Sequence, residues 1–129
     1  MKLDCKEISI NEGELGCEVT FSESEQLGSE NENMSFNEMI VSIGRYLLLQ
    51  RTYPEDEFDR DNYYFETHDE NLCGELEGFE IVLSRQSFEL KFDSEIVEIS
   101  INPSENEYVD LKHVLPIIIN KRGNLIINK

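Results

Sequence analysis

Residues 79–92 read Phe79-Glu80-Ile81-Val82-Leu83-Ser84-Arg85-Gln86-Ser87-Phe88-Glu89-Leu90-Lys91-Phe92. Phe79, Ile81 and Leu83 recur at every second position, and so do Phe88, Leu90 and Phe92, with Glu80, Glu89 and Lys91 interleaved. Successive side chains on a strand point to opposite faces, so this period marks strands with one face buried. Arg85-Gln86 stands between the two runs, which predicts a meander hairpin. Val97, Ile99 and Ile101 repeat the period after a turn at Asp93-Ser94-Glu95 and continue the sheet.

The same period appears toward the amino terminus. Leu15, Cys17, Val19 and Phe21 alternate with Gly16, Glu18 and Thr20, while Ile8 and Ile10 flank Ser9. Asn11-Glu12-Gly13 supplies a three-residue turn with a glycine free to take positive φ, so an N-terminal hairpin is expected. Leu15 and Cys17 then face the core, Cys17 as a small buried hydrophobe. Residues 22–33 are almost wholly polar and read as an exposed loop. Residues 39–49 fit a helical stripe or one strand face; Gly44 and Tyr46 favour a buried strand from about 45 to 51. Tyr63, Tyr64 and Phe65 announce another strand.

One helix stands out near the end. Ser104-Glu105-Asn106-Glu107 has capping-box spacing, and Tyr108, Leu111, Val114, Leu115 and Ile118 recur at helical intervals. Pro116 lacks an N–H and crowds the preceding turn, so it is expected to kink or end the helix. Residues 124–128 offer a short last strand. The sum is a single α+β domain over 1–129: a mostly antiparallel sheet with an N-terminal hairpin, a central meander and one C-terminal helix.

Charge narrows the function. The 129 residues carry 11 Lys+Arg against 28 Asp+Glu, a net charge of −17. Residues 1–70 hold 18 acidic and 5 basic side chains, and residues 71–129 hold 10 and 6. No direct nucleic-acid binding is expected, because phosphate neutralisation needs basic patches. Adsorption to anionic membrane is disfavoured for the same reason. The N-terminus carries charges where a signal peptide needs its apolar run, and no apolar stretch approaches the length of a membrane span. Cys5, Cys17 and Cys73 form no C-x-x-C spacing and cannot all pair, which points to the reducing cytoplasm.

Catalytic and metal chemistry find little footing. His68, Asp69, Glu70 and Cys73 match no standard zinc spacing, and zinc needs four committed ligands. A calcium loop starting at Asp59 fails because Tyr63 occupies a ligand position and Tyr64 the position that needs glycine. There is no G-x-S-x-G elbow and no Gly-rich phosphate loop. Cys73 sits beside Glu75, whose charge disfavours a thiolate. No enzyme activity, metal or cofactor is expected.

A surface tuned only for solubility manages with a net charge of about 2–8 in magnitude, and the excess here repels itself in the compact state. A cationic protein partner accounts for it, with charge steering the encounter. Acidic residues alone lack rigid anchors, and tyrosines among them supply such anchors. Charge and aromatic placement therefore nominate Tyr53, Glu55, Asp56, Glu57, Asp59, Asp61 and Tyr63, with Asp69 and Glu70 at the next turn, as the partner-binding set.

Three stretches carry a family resemblance: Arg45-Tyr46-Leu47-Leu48-Leu49-Gln50-Arg51 with Asp61-Asn62-Tyr63-Tyr64-Phe65-Glu66; Leu76-Glu77-Gly78-Phe79-Glu80-Ile81-Val82-Leu83-Ser84-Arg85 with Phe88-Glu89-Leu90-Lys91-Phe92; and Tyr108-Val109-Asp110-Leu111-Lys112-His113-Val114-Leu115. Over about residues 45–119 the chain resembles the tenth immunity-protein family of bacterial polymorphic toxin systems. The resemblance implies a small cytoplasmic α+β protein, not an enzyme, that binds and neutralises a cognate toxin domain, often a nuclease. It assigns no residue roles. The competing expectation is an acidic regulatory or scaffold module that binds another protein or itself, with Met39–Leu49 as an interface if exposed.

Overall fold

The expected hairpins build two sheets. The computed structural model describes residues 1–23, 45–92 and 95–128. Its strands are β1 (Lys2–Asp4), β2 (Glu7–Glu12), β3 (Gly16–Ser22), β4 (Tyr46–Thr52), β5 (Asn62–Thr67), β6 (Cys73–Glu75), β7 (Phe79–Leu83), β8 (Ser87–Phe92), β9 (Glu95–Ser100) and β10 (Gly123–Ile127). Helix α1 (Glu105–Ile119) lies between β9 and β10 in the chain. The architecture is α+β.

The first sheet has the order β2-β3-β4-β5-β6 and is antiparallel throughout. The second has the order β1-β9-β8-β7-β10; its centre is the meander read from residues 79–101, and both edges are added in parallel. The inward parity of each sheet supplies the core. Val19, Phe21, Leu47 and Leu49 of the first sheet, and Ile81, Leu83, Phe88, Leu90 and Val97 of the second, are fully buried. Phe21 meets Phe88 with ring centroids 4.5 Å apart, and Phe65 meets Phe92 at 5.0 Å, so these aromatic pairs join the two layers. Such pairs add about 0.5–1.5 kcal/mol beyond their burial.

Helix α1 begins as its sequence dictates. Ser104 Oγ accepts from Glu107 N, and Glu107 Oε1 accepts from Ser104 N. Tyr108, Leu111, Val114, Leu115, Ile118 and Ile119 are its buried residues. Pro116 does not stop it. The proline is exposed within the helix and only Ile117, Ile118 and Ile119 follow. Burial of Leu115, Ile118 and Ile119 holds the last turn, and Arg51 NH1 donates to Ile117 O at 2.8 Å, satisfying a carbonyl at the helix end.

The N-terminal hairpin forms with its turn displaced. Strand β2 runs through Glu12, so Asn11 and Glu12 pair with Glu18 and Cys17, and the connection is Gly13, Glu14 and Leu15, closed by Gly13 N to Gly16 O. Cys17 is buried as expected, whereas Leu15 stands 76% exposed. The alternation breaks at Gly16, whose φ of +153° suits glycine and where a Cβ would lie 2.2 Å from Arg51 O. Of residues 22–33, Ser22 ends β3 in a buried position. Glu23 is held by Arg45 at 2.6 Å. The remainder of that loop, the helix-or-strand ambiguity at 39–44 and the turn at 93–94 lie outside the described residues. Leu47 and Leu49 are buried, so this part of the 39–49 run belongs to the core. Strands β1 and β6, three residues each, carry no alternation long enough to announce them.

Candidate functional site

The nominated residues fall at two ends of the first sheet. The β4–β5 connection, residues 53–61, lies beside the β2–β3 turn, because Gly16 pairs with Thr52 and Tyr53 N donates to Leu15 O at 2.9 Å. Asp69 and Glu70 occupy the β5–β6 turn at the far end of β5. Six residues of strand separate the groups, about 17 Å at the usual rise. They do not form one patch.

Within 53–61 the carboxylates divide into two kinds. Asp56 Oδ1 accepts from Phe58 N at 2.9 Å, and Asp59 accepts from Glu55 N at 3.0 Å and Arg60 N at 2.9 Å. These bonds build the turn, and the two backbone donors on Asp59 hold its carboxyl below the usual range. Asp61 faces inward to Arg51, with Oδ2 3.2 Å from NH2 and Oδ1 3.4 Å from Nε. Glu55 and Glu57 are exposed. At the centre of this acidic tip stands Phe58, 89% exposed. At the same sheet end is exposed Leu15, preceded in sequence by Glu12 and Glu14.

Of the two nominated tyrosines, one does not reach the surface. Tyr63 is 4% exposed, which removes it from an accessible surface. Two guanidinium groups lie over its ring, Arg51 at 5.5 Å and Arg122 at 4.7 Å, and its hydroxyl accepts from Asn120 Nδ2 at 2.9 Å. The inward parity of β5 takes Tyr63 with Phe65, and no periodicity around Tyr63 alone distinguishes anchor from core. Tyr53 is half-buried with Arg51 5.0 Å above its ring. Tyr53, Asp61 and Tyr63 thus converge on Arg51, which ties the base of the acidic loop to the end of α1.

Sequence reasoning passed over a second acidic feature, the outer face of the first sheet. By the registers of β2–β6, this face carries Glu18, Tyr46, Leu48, Gln50, Tyr64 and Glu66, and none of its outward positions is Lys or Arg. Glu66 accepts from two phenols, Tyr46 at 2.5 Å and Tyr64 at 3.0 Å. Glu18 accepts from two side-chain amides, Asn11 and Gln50, each at 3.2 Å. Neither carboxylate has a Lys, Arg or His ion-pair partner among the described residues. Burial, then the bond to Glu66, raises the Tyr46 phenol well above its ordinary value, so it stays a donor. The parity of Glu18 and Glu66 was legible; their neutral partners, 32 and 20 residues away or nearer, were not.

The groups considered for chemistry are dispersed. His68 Nδ1 accepts from Tyr46 N at 3.3 Å, and Cys73 Sγ donates to Glu70 O at 3.3 Å. His113 Nε2 lies 3.2 Å from Glu12 Oε2, fastening α1 to the β2–β3 hairpin. Burial pushes the Cys5 thiol up to about 11 and raises Cys17 as well, both away from the thiolate form. Among the described residues no group of three or more His, Cys, Asp and Glu is placed to hold a metal ion, and no helix is long and apolar enough to cross a membrane. Comparison with protein-family models, with curated proteins and with solved structures gave no match in any of the three.

Proposed function

We propose that this chain is an immunity protein, akin to the tenth family of bacterial polymorphic toxin systems, that acts in the cytoplasm by binding and neutralising a cationic toxin domain. It works by binding and not by catalysis. The observation that supports this best is the tip of the β4–β5 loop: Phe58, 89% exposed, is set among Glu55, Asp56, Glu57 and Asp59. An exposed aromatic in a loop where acids outnumber the one base, Arg60, is an arrangement suited to a partner of opposite charge, with the ring as anchor and the carboxylates as steering groups.

The test is co-production with the toxin domain encoded beside this chain. Cells survive, and the purified proteins form a 1:1 complex whose association slows as salt is raised. Unchanged killing overturns the reading, and equal association rates at low and high salt remove its electrostatic part. Reversing Glu55, Asp56, Glu57 and Asp59 together slows association while dissociation changes less.

A second reading, self-association of an acidic scaffold module, is favoured by one observation. Strand β10 is an edge strand with Ile126 and Ile127 each 43% exposed, and open apolar edges template further pairing. Sedimentation across a concentration series separates the two: a monomer at all concentrations excludes it.

A further inference from the structure

We infer that strand β10 pairs with β10 of a second copy of this chain, antiparallel and centred on Leu125, so that two copies share one continuous sheet and stop at a dimer. The inference rests on the self-association reading and gives it a place and a geometry. Binding at the acidic loop does not depend on it.

The sheet edges carry the first argument. Among the described residues four strands lie at an edge: β1 and β10 of the second sheet, β2 and β6 of the first. Edge strands avoid pairing with other chains by shortness or charge. Strand β1 is three residues with Lys2 and Asp4, β6 is three residues with Glu75, and β2 carries Glu7 and Glu12 at its ends. Strand β10, Gly123-Asn124-Leu125-Ile126-Ile127, has neither protection, and Ile126 and Ile127 are each 43% exposed. Its backbone is open as well. Asn128 N donates to Leu83 O at 2.8 Å, and the strand period of two turns Ile126 and Asn124 the same way. Leu125 and Ile127 therefore direct N–H and C=O to the open side, where those groups need partners.

The second argument is that the strand complements itself. Pairing about Leu125 sets Leu125 against its own counterpart and Ile127 against the second copy's Gly123, which has no side chain to crowd it. The residues with outward-directed N–H and C=O fall opposite one another, as hydrogen-bonded antiparallel pairs require. On the outer face the two Ile126 side chains become diagonal neighbours, each beside half-buried Val82 on its own β7. An apolar strip then crosses the axis unbroken. The contact is isologous and occupies the unprotected edge of both copies, so it closes at two.

Charge favours the same place. All 28 Asp and Glu lie in residues 1–110, whereas residues 111–129 carry Lys112, Lys121, Arg122 and Lys129 and no acid. Glu80, the one acid on β7, stands opposite Lys91. Two copies of a chain with net charge −17 repel where acids face acids, and an acid-free strand lets them meet.

The experiment is sedimentation of the full chain from micromolar to millimolar concentration at low and high salt, with amide hydrogen exchange at both ends of that range. The expected result is a monomer–dimer equilibrium that stops at the dimer and shifts several-fold toward it as salt screens the like charges. The amides of Leu125 and Ile127 slow on concentration, while that of Ile126, bonded to β7, is protected throughout. Ile126→Lys with Ile127→Lys weakens the dimer about tenfold at unchanged thermal midpoint. Should that double variant misfold, the exchange of the unaltered chain still decides. A monomer at every concentration overturns the dimer and the self-association reading, and leaves the cationic-partner reading standing. A dimer in which Leu125 and Ile127 exchange as fast as in the monomer overturns the assignment to β10. Growth beyond two copies overturns the closed antiparallel pairing.

Discussion

On the second sheet, Glu98 lies 3.8 Å from Lys2 on the neighbouring strand and Glu89 lies 3.5 Å from Lys91. On the first, Glu66 and Glu18 at equivalent outward positions meet only phenols and amides. The two sheets bury their inner faces in one shared core. Their outer faces differ in what stands next to these acids, although Glu75 at the β6 edge of the first sheet lies 3.6 Å from Arg122. A lysine neighbour closes the field locally and adds about 0–1 kcal/mol. A neutral donor fixes the carboxylate and leaves its field directed outward. The lesson is that the count of acids on a face says less about partner binding than the charge of the groups that hold them.

The comparison breaks most severely if the shared core is damaged. Phe88→Ala removes the ring packed on Phe21 at a fully buried position and is expected to cost about 3–5 kcal/mol. Denaturant unfolding would show it, and fluorescence and circular dichroism should report one coincident transition for both sheets. Two separate transitions would mean that the sheets are independent.

Arg51 comes next. It holds Asp61, the Ile117 carbonyl and the faces of Tyr53 and Tyr63. Arg51→Ala leaves a partly buried carboxylate and a helix-end carbonyl without their donor, at a cost of about 2–3 kcal/mol. Arg51→Lys recovers only part of this, because a single ammonium cannot serve both. A stability loss below ~0.5 kcal/mol for Arg51→Ala would show that the loop and α1 are not coupled through it.

The alkaline limb sharpens the contrast between the faces. Burial and the bond to Glu66 raise the Tyr46 phenol. A raised acid contributes stability below its unfolded pKa of ~10 and loses it as pH climbs through the folded value. The contribution of Tyr46 should therefore be lost on the alkaline side. Ultraviolet titration of the phenolates should lose its highest step in Tyr46→Phe. A titration identical to that of the unaltered chain would sink the hydrogen-bonded arrangement.

The smallest effects distinguish the two kinds of carboxylate. Lys91→Ala breaks an exposed ion pair and is expected to cost no more than about 0.5 kcal/mol, less at high salt. Glu66→Gln removes a charge that no cation pairs with, so stability should stay within about 0.5 kcal/mol and rise slightly at low salt as repulsion eases. If Glu66→Gln destabilises strongly at low salt, the carboxylate serves the fold and not a partner.

Legibility followed the length of each periodic run. The meander 79–101 and the capping box at Ser104 were plain, because nine apolar positions in three alternating runs and a spaced Ser and Glu leave few alternatives. Leu15 was read on the wrong side, since alternation assumes an unbroken pleat and Gly16 breaks it against Arg51. Pro116 predicts a kink or an end to α1, and the helix runs on to Ile119 because burial of Ile118 and Ile119 holds its last turn. The candidate site was half legible. The acidic loop was visible as composition, while Tyr63 passed for an anchor because identity alone cannot tell a buried ring from an exposed one.

By itself, the sequence determined the longer strands, the helix and the strong acidity, since periodicity and charge are local properties of the chain; the three-residue strands β1 and β6 were beyond it. Only the tertiary structure decided how the strands divide into two sheets, that β1 and β10 join in parallel, and which carboxylates are neutralised. Those outcomes depend on partners far apart in the chain: Tyr46 and Glu66, Glu18 and Gln50, Arg51 and Ile117. No local pattern encodes such pairs, and it is they that set one face apart from the other.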